Sequence, residues 1–484
     1  MRIKNLLIII IPIIIFLILG TSLVFTNRPI TDESWHASTA VNLLREGVMR
    51  NTNFISWGDI GPSMYSPLFL FNEALVIKIF GISLFTIRFL SLFWGLMGLI
   101  AIIFLLKKII NNKIVLFLSL LLVSTDMFFL KSSSTARMDI MSASLTLIAI
   151  TLYLYLREKK FTLAVFLSNL FICLSGLSHF NGILGLIALI FLIIYLDRKK
   201  INLKIILIAI IPYFIGGIFY GIYIFKNYDF FVNQFNNAVK PNITTINLLK
   251  LIHDEFIYRY LYAYGLSPEQ SSIFSIIKLP VIIFYFICLI IFPIFVKEKD
   301  KKIFWWILLF YFIVFTLEPI YKTESYICWI TPFFIISASL IFDKFNVKRA
   351  LKIIFIFCFI AILIISVSRT VYSINRNDYQ NKYISDLKQF NEKYYNGGKI
   401  YGPGEITFYY GFNDNIIQDD YTLGFYTGIL PEYIATSSDY EETFENFKTV
   451  NVEIYNHIKD TMGRKYIKIF EGNYFTFYKK IVSQ

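Results

Sequence analysis

The chain has 484 residues, 56% of them hydrophobic and only 16% charged, and its mean hydropathy is +0.62. That balance excludes a soluble globular enzyme and points to a membrane protein with many spans. The net charge of +13 is not a nucleic-acid footprint, because Lys and Arg fall in short runs between apolar stretches.

The first element, Met1–Phe25, opens on Arg2 and Lys4 and continues as an Ile/Leu run. It exceeds the roughly 7–15 residues of a signal-peptide core and lacks a small-x-small cleavage site, so it reads as an uncleaved first span with a cytoplasmic N-terminus. Further apolar stretches lie near 84–106, 114–130, 138–156, 161–177, 182–196, 205–225, 273–296, 303–317, 326–342 and 351–369. The expected total is about eleven spans. Between the first two, residues 26–83 hold two candidate interfacial helices, the polar-amphipathic Ser34–Arg45 and the largely apolar Pro67–Phe80. A second long outer loop covers 226–272. In it His253, Asp254 and Glu255 read as a solvated run.

Past the last span the composition turns polar, which separates a membrane domain, 1–370, from a small α/β domain, 371–484. Strands are expected at Ile400-Tyr401, Ile416-Ile417, Tyr433-Ile434-Ala435, Tyr466–Phe470 and Tyr474–Tyr478, and helices at Tyr383–Lys393 and Tyr440–Phe447. Loop charge supplies the orientation. Lys107, Lys108 and Lys113, then Arg157, Lys159 and Lys160, then Arg198, Lys199, Lys200 and Lys204 occupy alternate connections. Lys297, Lys299, Lys301 and Lys302 follow, and then Lys344, Lys348 and Arg349. All lie on the side that a cytoplasmic N-terminus makes cytoplasmic. An odd span count then places the C-terminal domain outside a plasma membrane. The cysteines, Cys173, Cys288, Cys328 and Cys358, sit within apolar runs without ligand or disulfide spacing and read as buried hydrophobes. There is no Walker loop, no GxGxxG after a strand and no Asp-x-Asp motif in an inward loop. An energy-rich substrate would therefore come from the membrane itself.

Polar residues gather at the outer ends of the spans. Asp32-Glu33 follows the first span, with His36 one helical turn on and Tyr65 later in the same loop. Arg137 and Asp139 open the fourth span, His179 and Asn181 separate the fifth from the sixth, and Lys322 and Tyr326 precede the tenth. An interfacial carboxylate can accept a proton from a hydroxyl, and Arg or Lys can hold a phosphate. Together they suit substitution at a carbon that carries a lipid-phosphate leaving group. Plainer readings stand beside these. Asp32-Glu33 would also cap the helix Ser34–Arg45 through its dipole, Arg137 and Asp139 would close a loop as one ion pair, His179 would bond loop carbonyls, and Lys322 would snorkel. A divalent metal is left open, since oxygen-only sites leave weak traces in sequence.

The ordered set of short pieces resembles glycosyltransferase family 39, the protein O-mannosyltransferases and the aminoarabinose transferases. The pieces are Asp32-Glu33, Tyr65-Ser66-Pro67-Leu68, Phe80-Gly81-Ile82-Ser83 with Arg88-Phe89-Leu90-Ser91, Ala136-Arg137-Met138-Asp139, Ser178-His179-Phe180-Asn181-Gly182, and Lys322 with Tyr326 and Pro332. The resemblance implies a GT-C fold and a polyprenyl-phosphate-linked sugar donor used on the outer face for an extracytoplasmic acceptor. It implies an inverting hexosyl or pentosyl transfer with Asp32 as general base, Glu33 orienting or assisting it and Asp139 as a second acid. Arg137 and Lys322 are then the candidates for the donor phosphate. Tyr65-Ser66-Pro67 stands where the aminoarabinose branch has Glu-Lys before Pro-Pro, which argues against lipid A as acceptor. The large lumenal insertion of the eukaryotic mannosyltransferases is missing, which argues against a protein acceptor. The alternatives are a lipid-linked-glycan flippase and a surface-glycan polymerase or ligase.

Overall fold

In lipid a backbone N–H or C=O finds no water, so an apolar run must satisfy its own hydrogen bonds and winds into helix. The structure is a computed structural model that describes residues 2–55, 62–64, 66–239, 247–266, 276–318, 324–344 and 349–481. Helices occupy every expected apolar stretch: α1 (Arg2–Thr26), α4 (Leu84–Ile109), the bent pair α5 (Lys113–Thr125) and α6 (Met127–Ser133), α7 (Met138–Leu156) and α8 (Phe161–Ser178). Continuing along the chain are α9 (Gly182–Asp197), α10 (Leu203–Lys226), α14 (Leu279–Phe295), α15 (Lys299–Leu317), α16 (Ile327–Lys344) and α17 (Arg349–Arg376). Among the described residues, seven helices are long and apolar enough to cross a membrane unaided, and the α5–α6 pair makes an eighth. The other three, α9, α14 and α15, are shorter or begin on charged residues.

The 50° break between α5 and α6 has a local cause. Asp126 Oδ1 accepts the Phe128 and Phe129 amides at 3.1 and 2.8 Å, so the chain caps a new helix instead of continuing the old one. α4 approaches α6 and α7 closely because a Cβ at Gly95 or Gly98 would stand 2.2 Å from Ser133 Oγ or 2.5 Å from Ser144 Oγ. The basic connections meet at one end of the bundle. Asp197 binds Arg157 at 3.1 Å and Lys200 at 2.8 Å, Asp343 takes the Asn112 amide at 3.2 Å, and Lys344 pairs with Glu298.

The opposite end carries the interfacial helices α2 (Thr31–Glu46) and α3 (Pro67–Phe80), both where expected. The second outer loop forms α11 (Tyr228–Val239), α12 (Leu248–Asp254) and α13, a π-wound stretch over Glu255–Leu266. Glu255 is not part of a solvated run, because it is fully buried against Arg259.

Beyond α17 a sheet of five strands takes the order β2-β1-β3-β5-β4. Its strands are β1 (Ile400–Tyr401), β2 (Ile417–Gln418), β3 (Tyr433–Thr436), β4 (Tyr466–Glu471) and β5 (Thr476–Lys480). The first three run parallel, and β5 is antiparallel to both β3 and β4. α18 (Ser385–Lys393) covers one face, where Phe390 stacks on Phe477 at 3.7 Å. After the short α19 (Thr407–Tyr410), the helices α20 (Ser438–Val450) and α21 (Val452–Lys465) supply the other face through Tyr440, Phe444, Ile454 and Ile458. α21 was not expected from the sequence, although Ile454 and Ile458 have the i, i+4 spacing of an amphipathic helix.

Candidate active site

The first turn of α2 sets the geometry. Glu33 returns its carboxylate to the Ile30 amide at 3.0 Å, half of a capping box. Helical spacing then sends Thr31 and Trp35 to one face, Asp32 and His36 to the next, and Glu33 away from both.

Glu33 meets Arg88 of α4. Arg88 Nε and Nη2 donate to its two oxygens at 2.7 Å each, and the Ala136 amide adds a bond at 2.8 Å. The remaining Arg88 N–H groups reach the carbonyls of Val24, Asn27 and Arg28 at 2.8–3.0 Å. Glu33 has 0% of its side chain exposed and, through these bonds, holds the turn in place.

Asp32 keeps 36% of its side chain exposed. Its Oδ2 pairs with Arg137 Nη1, while Oδ1 makes no hydrogen bond among the described residues. Arg137 Nε binds Asp139 Oδ2 at 2.8 Å, so one guanidinium joins the two carboxylates. Asp139, 1% exposed, has its other oxygen 3.6 Å from His179 Nε2. The Asn181 amide donates to His179 Nδ1 at 2.9 Å, which leaves the ring proton on Nε2, toward Asp139. Burial lowers the His179 pKa, with Asp139 opposing. Burial does the same to His36, against Asp32, and the His36 ring lies edge-on to Phe69 at 5.5 Å. The His179 ring meets Tyr326 edge-on at 5.7 Å.

Sequence reasoning thus brought Asp32, His36, Arg137, Asp139, His179, Asn181 and Tyr326 to one face of the molecule, and the structure places them in one connected cluster. Tyr65 and Lys322 lie outside the described residues. Several cations were missed. Arg259 is fully buried, with its guanidinium over Phe315 at 4.8 Å and Tyr326 at 5.5 Å. One of its N–H groups reaches Glu255 at 3.1 Å, whereas Nε and Nη2 have no partner among the described residues. Lys131 pairs with Glu324. Burial, with Arg369 and Lys131 nearby, pushes the buried Lys278 down to about 8. The clue to both was a cation among apolar and aromatic residues, Arg259 between Tyr258 and Tyr260 inside α13 and Lys278 at the start of α14. Among the described residues no three His, Cys, Asp or Glu side chains converge as a metal cage.

No family model matches the chain, and no curated protein matches it in sequence. Solved structures do match. The apo form of ArnT from Cupriavidus metallidurans, an aminoarabinose transferase, aligns with a TM-score of 0.60 at 10% identity, over 99% of this chain and 98% of that one. The same enzyme bound to undecaprenyl phosphate aligns at 0.58, again at 10% identity and over 99% and 98%. The oligosaccharyltransferase AglB of Archaeoglobus fulgidus, in complex with an inhibitory peptide and a dolichol-phosphate, aligns at 0.53 with 11% identity over 91% and 70%. The fold is of the GT-C type. At such identities the likeness speaks for the GT-C architecture alone. It leaves the chemistry to the residues of this chain.

Proposed function

We propose that this GT-C protein transfers a sugar from a polyprenyl-phosphate-linked donor to an acceptor hydroxyl outside the cytoplasm, with Asp32 as general base. The observation that carries this reading is the partly exposed Asp32, whose Oδ1 is unengaged among the described residues while Oδ2 is tied to Arg137. In the step, Asp32 takes the acceptor proton as the hydroxyl oxygen bonds to the anomeric carbon. The bond from that carbon to the phosphate oxygen breaks, and the lipid phosphate leaves with the electron pair. A single displacement inverts the anomeric centre. Glu33 acts through the turn it anchors, and Asp139 aligns Arg137, with neutral His179 behind it.

The leaving phosphate needs cations. Arg137 supplies one, and Arg259, Lys131 and Lys278 flank the same region, where Glu324 is influenced by Lys131, Lys278 and Arg137 together. Lys322 joins this set from its sequence position. The lipid-carrier reading is supported by the two solved neighbours that hold undecaprenyl phosphate and dolichol-phosphate. The gathering of basic connections at the far end of the bundle favours a cytoplasmic N-terminus with the site and the C-terminal domain outside a plasma membrane.

The test is sugar release from radiolabelled polyprenyl-phosphate hexoses and pentoses, with native membrane extract as acceptor and wild type beside Asp32→Asn. Loss of a general base costs roughly 10²–10⁴ in rate. Consumption of one donor by wild type and not by the variant is the expected result. Equal consumption by both would remove Asp32 from the mechanism.

A further inference from the structure

The α2 face that carries Thr31 and Trp35 does not look into the membrane domain. It docks on the C-terminal domain, through two buried carboxylates that the transfer chemistry does not use. Thr31 Oγ1 donates to Glu405 Oε2 at 2.8 Å, and Trp35 Nε1 donates to Asp419 Oδ2 at 2.9 Å. Both acids are fixed from behind. Tyr474 OH donates to Glu405 Oε1 at 3.1 Å, while Tyr440 OH and the Gly404 amide donate to Asp419 at 2.7 and 3.0 Å. The backbone closes the junction. Asp419 N–H donates to Asn53 O at 2.7 Å and Ile55 N–H to Asp419 O at 2.9 Å, so the first outer loop extends the sheet beyond β2. Gly404 fits directly against the helix, since a Cβ there would stand 2.4 Å from Ser34 Oγ.

We propose that the C-terminal domain is a clamp on the catalytic helix, and that Glu405 and Asp419 are positioning residues acting on Asp32 through Thr31 and Trp35. This rests on the reading of Asp32 as the base. Thr31 and Trp35 bracket Asp32 on the neighbouring face, and Glu33 fixes the third side through Arg88. The freedom left to the turn is rotation about its own axis. A side-chain carboxylate rides roughly 5–6 Å from a helix axis, so a rotation of about 10° moves it about 1 Å. A 1 Å misplacement costs on the order of 100-fold in rate. Two hydrogen bonds remote from the substrate thereby govern turnover without touching it. They also give the C-terminal domain a task in the reaction.

The full-length protein is compared with Thr31→Val/Trp35→Phe, which deletes both donors and keeps an aromatic ring against Phe54, and with Asp419→Asn. In Asp419→Asn the amide oxygen accepts from Trp35 without needing a charge, and Tyr440 OH rotates to accept from the amide nitrogen, so this variant preserves the clamp. The double variant is expected to lose about 10–100-fold in kcat with little change in donor KM. Amide exchange at residues 32–36 should rise in it, and Asp419→Asn should follow wild type in both readouts. In an Asp32→Asn background the double substitution should cost nothing further, because its effect passes through Asp32. Unchanged kcat and exchange in the double variant would overturn the clamp, as would an equal further loss in the Asp32→Asn background. If wild type and Asp32→Asn turn over alike, the assignment of the base fails on its own, and the exchange data still decide the clamp.

Discussion

The Glu33–Arg88 pair is the most committed interaction in the site. All five guanidinium N–H groups of Arg88 are used, on the two Glu33 oxygens and the Val24, Asn27 and Arg28 carbonyls. Arg88→Met would leave Glu33 buried, with only the Ile30 and Ala136 amides as donors. It would also strand three carbonyls at the end of α1. Removing one partner of a buried pair costs roughly 3–5 kcal/mol, because the other charge stays buried without its counterion. With an unfolding entropy of about 2.1 cal/mol/K per residue, a chain of 484 residues loses about 1 °C of midpoint per kcal/mol. The thermal midpoint of purified Arg88→Met in detergent is therefore expected to fall by about 3–5 °C. Arg88→Lys should fall nearly as far, since an ammonium cannot reproduce the two-pronged contact. The double variant Glu33→Gln/Arg88→Met should recover part of the loss by removing the orphaned charge. A midpoint for Arg88→Met within about 1 °C of wild type, or a double variant worse than both singles combined, would refute this account of the hub.

Two further outcomes are expected. Arg137→Lys keeps the charge but cannot bind Asp32 and Asp139 with separate nitrogens of one planar group, so turnover should drop by roughly 10–100-fold while the protein remains folded, measured by donor consumption. Burial lowers the pKa of both His36 and His179, so the unfolded chain binds more protons than the folded one as pH falls below about 6.5, and acidification through that window destabilises the fold. Asp419, which burial pushes up to about 8, slopes the opposite way. The histidine contribution is therefore read as the difference between wild type and His36→Asn, whose midpoint should lose less between about pH 7.5 and 5.5. Parallel curves for the two proteins would remove His36 from the acid response.

The membrane-spanning part of the fold was legible because lipid imposes one rule on every apolar run, and loop charge follows the same alternation. α2 and α3 were legible for a related reason, since each has too many polar residues, or too short an apolar face, to span. The sheet was found where β-branched and aromatic runs stand alone, as at Tyr433–Thr436, and its strand limits moved by a residue or two at Ile417 and Thr476. The kink at Asp126 was not foreseen. An acid inside an apolar run shows that something happens there, but only the pairing of its oxygen with the Phe128 and Phe129 amides shows that the helix restarts.

Within the site, Arg137 and Asp139 were legible as a pair because two residues at a helix start must lie close together. Their joining to Asp32 across 105 positions followed only from topology, which puts both helix ends on one face. Trp35 and Asp419 are 384 positions apart, and no period or spacing links them. The electrostatics tie these pieces into one logic. Asp32 and Asp139 share Arg137, so the resting site keeps its cation between two acids. In the proposed reaction the donor's phosphodiester, which carries one negative charge, would compete with Asp32 for the N–H groups of Arg137 and so free a carboxylate oxygen to act as a base. Glu33 is not freed in this way, because it is buried and held by Arg88 and the Ala136 amide, and Asp139 is buried at the Nε edge of Arg137. Of the three neighbouring acids Asp32 alone is partly exposed, and that exposure is what favours it as the base in the proposed reaction.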